Sequence, residues 1–204
     1  MKPCRRGARL IWRVMPTIED TMTRRIEPYL LGLAGEYRVC SELNRRGILA
    51  TVTYGNRKSV DVYAIGDRSQ PTLKIEVKTT QGTNFVTGIT QKGLDRDPTA
   101  PDFWVLVQFT ASAAGEFTDR FFVLTHDEIC AVQAARNREY ARKYREKHLR
   151  DVDFSVGVDN VLARDVKQHE GGWAKIVARF TTSCQTNRNR RHNTRLHPTA
   201  ADER

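Results

Sequence analysis

The sequence predicts a mixed α/β (α+β) fold, with one helix, a three-stranded meander and further strands and helices around a single mixed sheet. Three observations carry this. Apolar residues recur at helical spacing between Pro28 and Gly47, they alternate between Leu73 and Thr80, and they dominate the run from Phe103 to Phe109. A chain of 204 residues can hold one domain with a substantial core plus appendages. Three parts are expected: a basic extension over residues 1–24, a folded domain over 25–182, and a basic, aperiodic, disordered tail over 183–204.

The first helix spans Pro28 to Gly47. Leu33, Glu36, Val39, Cys40 and Leu43 share one stripe of a 3.6-residue period, and Gly47 is a suitable stop. Ile48 to Tyr54 is rich in β-branched residues and reads as a strand, followed by the turn signal Gly55-Asn56. Val60 to Ile65 and Leu73 to Thr80 alternate and read as the second and third strands. Their short links favour antiparallel pairing. Gly82 to Pro101 is less regular, with one short helix expected near Ile89 to Leu94. The apolar run Phe103 to Phe109 reads as a buried strand, and Phe121 to Leu124 as another. Thr125 and Glu128 have capping-box spacing, so a helix should start there and run to about Lys147. Trp173 to Phe180 is a short amphipathic segment that could close the domain.

The formal charge is +10, which points to an acidic partner such as nucleic acid. The charge is uneven, however. Residues 1–25 hold seven Lys/Arg against two acids, and residues 183–204 hold five against two. The basic termini therefore account for most of it, and bulk charge alone does not make the folded body a nucleic-acid binder. Cys4, Cys40, Cys130 and Cys184 are scattered without a C-x-x-C pair or zinc spacing. A reduced, cytoplasmic protein is the simplest expectation. No apolar run approaches the roughly 20 residues of a membrane helix.

The third strand reads Leu73-Lys74-Ile75-Glu76-Val77-Lys78-Thr79-Thr80. Ile75 and Val77 point to one face, and Glu76 and Lys78 to the other. In the second strand Val60, Val62 and Ala64 share a face, and Asp61 points away from it. If the apolar faces agree, Asp61 and Glu76 are co-facial. Two neighbouring carboxylates repel, and a divalent cation compensates for this well. Mg²⁺ binds through one or two carboxylates and keeps waters or phosphate oxygens as its other ligands. Glu36 lies on the inward stripe of the first helix, so it either reaches solvent at the stripe's edge or reaches this site. Each piece alone is weak, since a lone Glu-x-Lys commonly marks a solvated strand face. The ordered set of Gly35-Glu36, Asp61 and Glu76-x-Lys78 is stronger.

That set, with Ser59-Val60-Asp61 and Ile75-Glu76-Val77-Lys78-Thr79-Thr80 in order, resembles the PD-(D/E)xK nuclease superfamily. This is the restriction-endonuclease-like fold that includes archaeal-type Holliday junction resolvases. The resemblance covers residues 28–110, and Val60 stands where the motif's name has proline. It implies a helix–strand–strand–strand–helix–strand core and Mg²⁺ (or Mn²⁺) held by Asp61 and Glu76, with Glu36 as a further ligand and Lys78 assisting hydrolysis. The implied activity is hydrolysis of DNA phosphodiester bonds. Many members dimerise, so a homodimer is among the assemblies it allows. Arg57, Lys58, Thr79 and Gln91 are further candidates for contact with nucleic acid. The basic second half of the helix starting at Thr125, with Tyr140 and Tyr144 four apart, either lies along a nucleic-acid backbone or packs its tyrosines on the body. The alternative function is a non-catalytic nucleic-acid-binding module on the same fold.

Overall fold

The computed structural model describes residues 25–53, 60–67, 70–90, 94, 99–111, 117–153 and 159–181. In chain order the elements are α1 (Pro28–Arg45), β1 (Leu49–Val52), β2 (Val62–Ile65), β3 (Thr72–Thr80), β4 (Asn84–Val86), β5 (Phe103–Ala111) and β6 (Phe117–Thr125). Then follow α2 (His126–His148), β7 (Asn160–Leu162), a 3₁₀ turn (Lys167–His169) and α3 over residues 174–181. Arg57, Lys58 and Gln91 lie outside the described residues, as do the two termini. Among the described residues no helix is long and apolar enough to cross a membrane.

The main sheet has the order β1-β2-β3-β5-β6. β1, β2 and β3 form the expected antiparallel meander. β5 lies parallel to β3, and β6 returns antiparallel, so the sheet is mixed as expected. β4 and β7 pair in a second, two-stranded sheet that the sequence reading missed. The short helix expected near Ile89 to Leu94 is not seen where it can be described. Ile89 and Thr90 are non-helical and residue 94 is a 3₁₀ residue. Gly88, with φ +71, turns the chain directly before them. β1 is shorter than expected. β6 is longer, because its ladder with β5 continues through the polar Thr118-Asp119-Arg120.

α1 begins with Pro28 in the first turn and with the Glu27 carboxylate accepting from the Leu30 N–H at 3.0 Å. It ends before Gly47, whose φ of +77 suits glycine. Val39, Cys40 and Leu43 of α1 pack with Leu73, Ile75 and Val77 of β3 and Phe103, Val105 and Val107 of β5, and Trp173, Ile176 and Phe180 close that core. The Trp173 to Phe180 segment thus does pack as the sequence suggested.

The opposite face carries a second cluster. Trp104 and Leu106 of β5 and Phe122 and Leu124 of β6 meet Ile129 and Cys130 of α2, with Phe85 and Val161 from the small sheet. α2 begins with the predicted capping box: Thr125 Oγ1 accepts from Glu128 N–H at 3.2 Å, and the Glu128 carboxylate accepts from Thr125 N–H at 2.8 Å. No residue of β1, β2 or β3 belongs to this second cluster. The α2 face of the meander is therefore not sealed by it, and the polar side chains of β3 project there.

Candidate active site on the meander

β3 follows the predicted alternation. Leu73, Ile75 and Val77 are buried in the α1-side core, and Glu76 and Lys78 point to the other face. The β2–β3 register pairs Val62 with Ile75, and one more step along it sets Asp61 opposite Glu76. Asp61 precedes β2 but stays within the meander. Its N–H donates to Ile75 O at 3.0 Å, and its carbonyl accepts from Thr53 N–H at 2.9 Å. Its side chain turns toward β3, where Oδ2 accepts from the Val77 N–H at 2.7 Å. The two carboxylates are thus neighbours on one face.

Glu76 is buried, at 7% exposure. Its Oε1 accepts from Lys78 Nζ at 2.7 Å, and its Oε2 is buried without a hydrogen-bond partner. An unpartnered buried carboxylate oxygen is costly. Burial pushes Glu76 above the ordinary carboxylate range, and Asp61 adds to the rise, while Lys78 opposes it. Burial likewise raises Asp61, against the Val77 N–H and Lys78, which lower it.

Glu36 joins the same field. It is half-buried, and its pKa is pushed up to about 7 by burial first, then by the negative charges of Asp61 and Glu76, with Lys78 pulling the other way. Glu36 thus feels the strand carboxylates while remaining half-exposed. Its placement depends on Gly35. A Cβ at residue 35 would stand 1.9 Å from Thr79 Oγ1, so only glycine lets α1 lie this close to the end of β3. Thr79 was a candidate for nucleic-acid contact. Its Oγ1 is instead buried against α1 and has no hydrogen-bond partner.

Four of the expected residues, Glu36, Asp61, Glu76 and Lys78, therefore share one electrostatic site. Among the described residues no three His, Cys, Asp or Glu side chains stand close enough to make a protein-only metal cage. The donor set suits a cation held by two carboxylates that keeps water in its other positions, and the orphaned Glu76 Oε2 is the atom such an ion would satisfy.

Sequence reading missed the support on β5. Gln108 pairs with Thr80 in register, is buried, donates to Gly82 O at 2.7 Å and accepts from Arg120 at 3.1 Å. It pins the chain as it leaves β3. The available signal was a single polar residue inside an otherwise apolar run. Beside Glu76 in the parallel ladder stands Trp104, whose Nε1–H donates to His126 Nδ1 at 3.2 Å. Because indole only donates, His126 must carry its proton on Nε2, which faces Cys130 Sγ at 3.5 Å. His126 is thus a buried structural residue at the start of α2.

No family model and no curated protein matches this chain. Among solved structures, the chain is similar to a bacterial homing endonuclease, with a TM-score of 0.45 and 15% identity over 78% of this chain and 98% of that one.

Proposed function

We propose that the protein is a divalent-metal-dependent nuclease that hydrolyses DNA phosphodiester bonds at the Glu36–Asp61–Glu76–Lys78 site, on a fold of the PD-(D/E)xK type. The observation that carries this reading is the pair Asp61 and Glu76, co-facial and raised by burial, with one Glu76 oxygen unsatisfied. A purely structural strand pair has no reason to bury this arrangement, because it costs stability unless a cation relieves it.

Asp61 and Glu76 would hold Mg²⁺ or Mn²⁺, and Glu36 would take part directly or through a water. A cation bound there supplies Lewis-acid polarisation of a phosphate oxygen and a lowered pKa for the attacking water. Lys78, with Nζ at 2.7 Å from Glu76 Oε1 and 31% of its side chain exposed, is held at the mouth of the site. From there its ammonium orients the attacking water and stabilises negative charge growing on the phosphate.

The test is cleavage of linear duplex, single-stranded and four-way-junction DNA, with Mg²⁺ and with EDTA. Metal-dependent cleavage supports the reading. Salt-sensitive binding without cleavage of any substrate sinks it and leaves a non-catalytic binding module.

A further inference from the structure

α2 is two different objects joined end to end. Its buried residues, His126, Ile129, Cys130, Gln133 and Asn137, all lie in its first half. No residue from 138 to 148 is buried. That second part is about 16 Å of helix at 1.5 Å per residue. Its tyrosines are not buried: Tyr140 is exposed and Tyr144 half-buried. Tyr140, Tyr144 and His148 continue the inward stripe of the first half and stack on one another, with ring centroids 6.0 and 4.4 Å apart. Arg150 caps Tyr144 at 5.8 Å from its centroid.

A free helix this short is marginal in water. Here the ring ladder and the pairs Lys143–Glu139 and Arg142–Glu146, each at 2.6 Å, add support along it. The arm is also cationic. Residues 136–150 hold seven Lys/Arg against two Glu. Arg138 and Lys147 are exposed and make no ion pair among the described residues. They are nine residues apart, about 180° round the helix at ~100° per residue, so they sit on opposite flanks.

We infer that this arm is a docking element for the phosphate backbone of duplex DNA. Charge decides the occupant. A second copy of the arm would bring like charge against it, and so would either terminus of this chain, because both are basic. A polyanion complements it. A helix about 10–12 Å across fits a major groove about 12 Å wide, with cations on both flanks to meet the two phosphate walls. The arm binds whether or not the carboxylate site cuts, so this inference stands apart from the proposed activity.

The experiment is binding of the full chain to a labelled duplex in EDTA across a salt series, read by fluorescence anisotropy. Three proteins are compared: wild type, Arg138→Glu/Lys147→Glu on the arm, and Lys167→Glu/Arg179→Glu, which reverses two exposed cations elsewhere and changes net charge equally. The arm reversal should weaken binding about tenfold or more and flatten the dependence of log K on log salt by about 2. The off-arm reversal should stay within about threefold of wild type. Arg138→Gln/Lys147→Gln gives the same ordering if the reversal variant fails to fold, and circular dichroism checks this. Equal losses in both reversals would reduce the effect to bulk charge and overturn the inference. So would an unchanged affinity in the arm variant, or no duplex binding by wild type. Cleavage with unaltered binding in the arm variant would sink the arm and leave the nuclease. Arm-dependent binding without cleavage would do the reverse.

Discussion

Gly35 of α1 and Thr79 of β3 approach so closely that a methyl group on residue 35 would lie 1.9 Å from Thr79 Oγ1 and 3.0 Å from its Cβ. The contact fixes the height of α1 above the end of β3, and so the position of Glu36, the next residue. Gly35→Ala should lower stability by about 1–3 kcal/mol, the usual cost of overpacking. Thr79→Ala removes the closest atom and costs little, because Thr79 Oγ1 makes no hydrogen bond. The double variant should recover part of the loss. A double-mutant cycle by denaturant unfolding checks this, and strictly additive effects would mean the two residues do not press on each other.

Glu36 has a pH signature. Its folded pKa of about 7 is above its ordinary 4.5, through burial and the charges of Asp61 and Glu76. An acid raised in this way contributes stability that is complete below its unfolded pKa and is lost as pH rises through its folded one. In EDTA, Glu36→Gln keeps the neutral form at all pH. It should raise Tm at about pH 8 and leave it near wild type at about pH 4. Thermal unfolding at both values decides, and a rise of equal size at both would remove the electrostatic cause.

Cation binding should oppose that loss. Mg²⁺ or Mn²⁺ needs ionised carboxylates, so its affinity should climb as Glu36 deprotonates, by about tenfold between about pH 6 and pH 8. Added cation should raise Tm at the higher pH far more than at the lower. The Asp61→Asn and Glu76→Gln variants should show little response at either.

The capping box of α2 gives a control remote from the site. Thr125→Ala should cost about 1 kcal/mol, because the Glu128 N–H loses its acceptor. Metal-dependent behaviour should not change, and urea unfolding with and without cation checks both halves.

What could be read from sequence was local. The Glu76 and Lys78 face of β3 is fixed by period-2 alternation, and the start of α2 by a three-residue spacing, so both were legible. β4 and β7 are three residues each, too short to show a pattern, and they exist because they pair with each other across the chain. β6 reaches back to Phe117 through polar residues because its partner β5 continues there. Asp119 in that stretch is held from α1 by Arg38 at 2.6 Å. Glu36 could be narrowed to two placements only, because its environment is made by Asp61 and Glu76 from other elements. The Gly35–Thr79 contact is a long-range fit that glycine permits without announcing. The tyrosines of α2 had two readings, because a helical stripe that outruns the last buried residue, Asn137, has the same period in sequence as one that stays packed.

The proposed function has Asp61, Glu76 and Lys78 acting together on a phosphodiester through a bound divalent cation. Its most direct test is the single-turnover cleavage rate of the preferred DNA by wild type, Asp61→Asn and Lys78→Ala, with Mg²⁺ and with EDTA. Wild type should cleave with Mg²⁺ and not with EDTA, and the rate should fall about 10²-fold or more in each variant. DNA binding should persist and unfolding should stay cooperative in both variants. Undiminished Mg²⁺-dependent cleavage in both variants would contradict it.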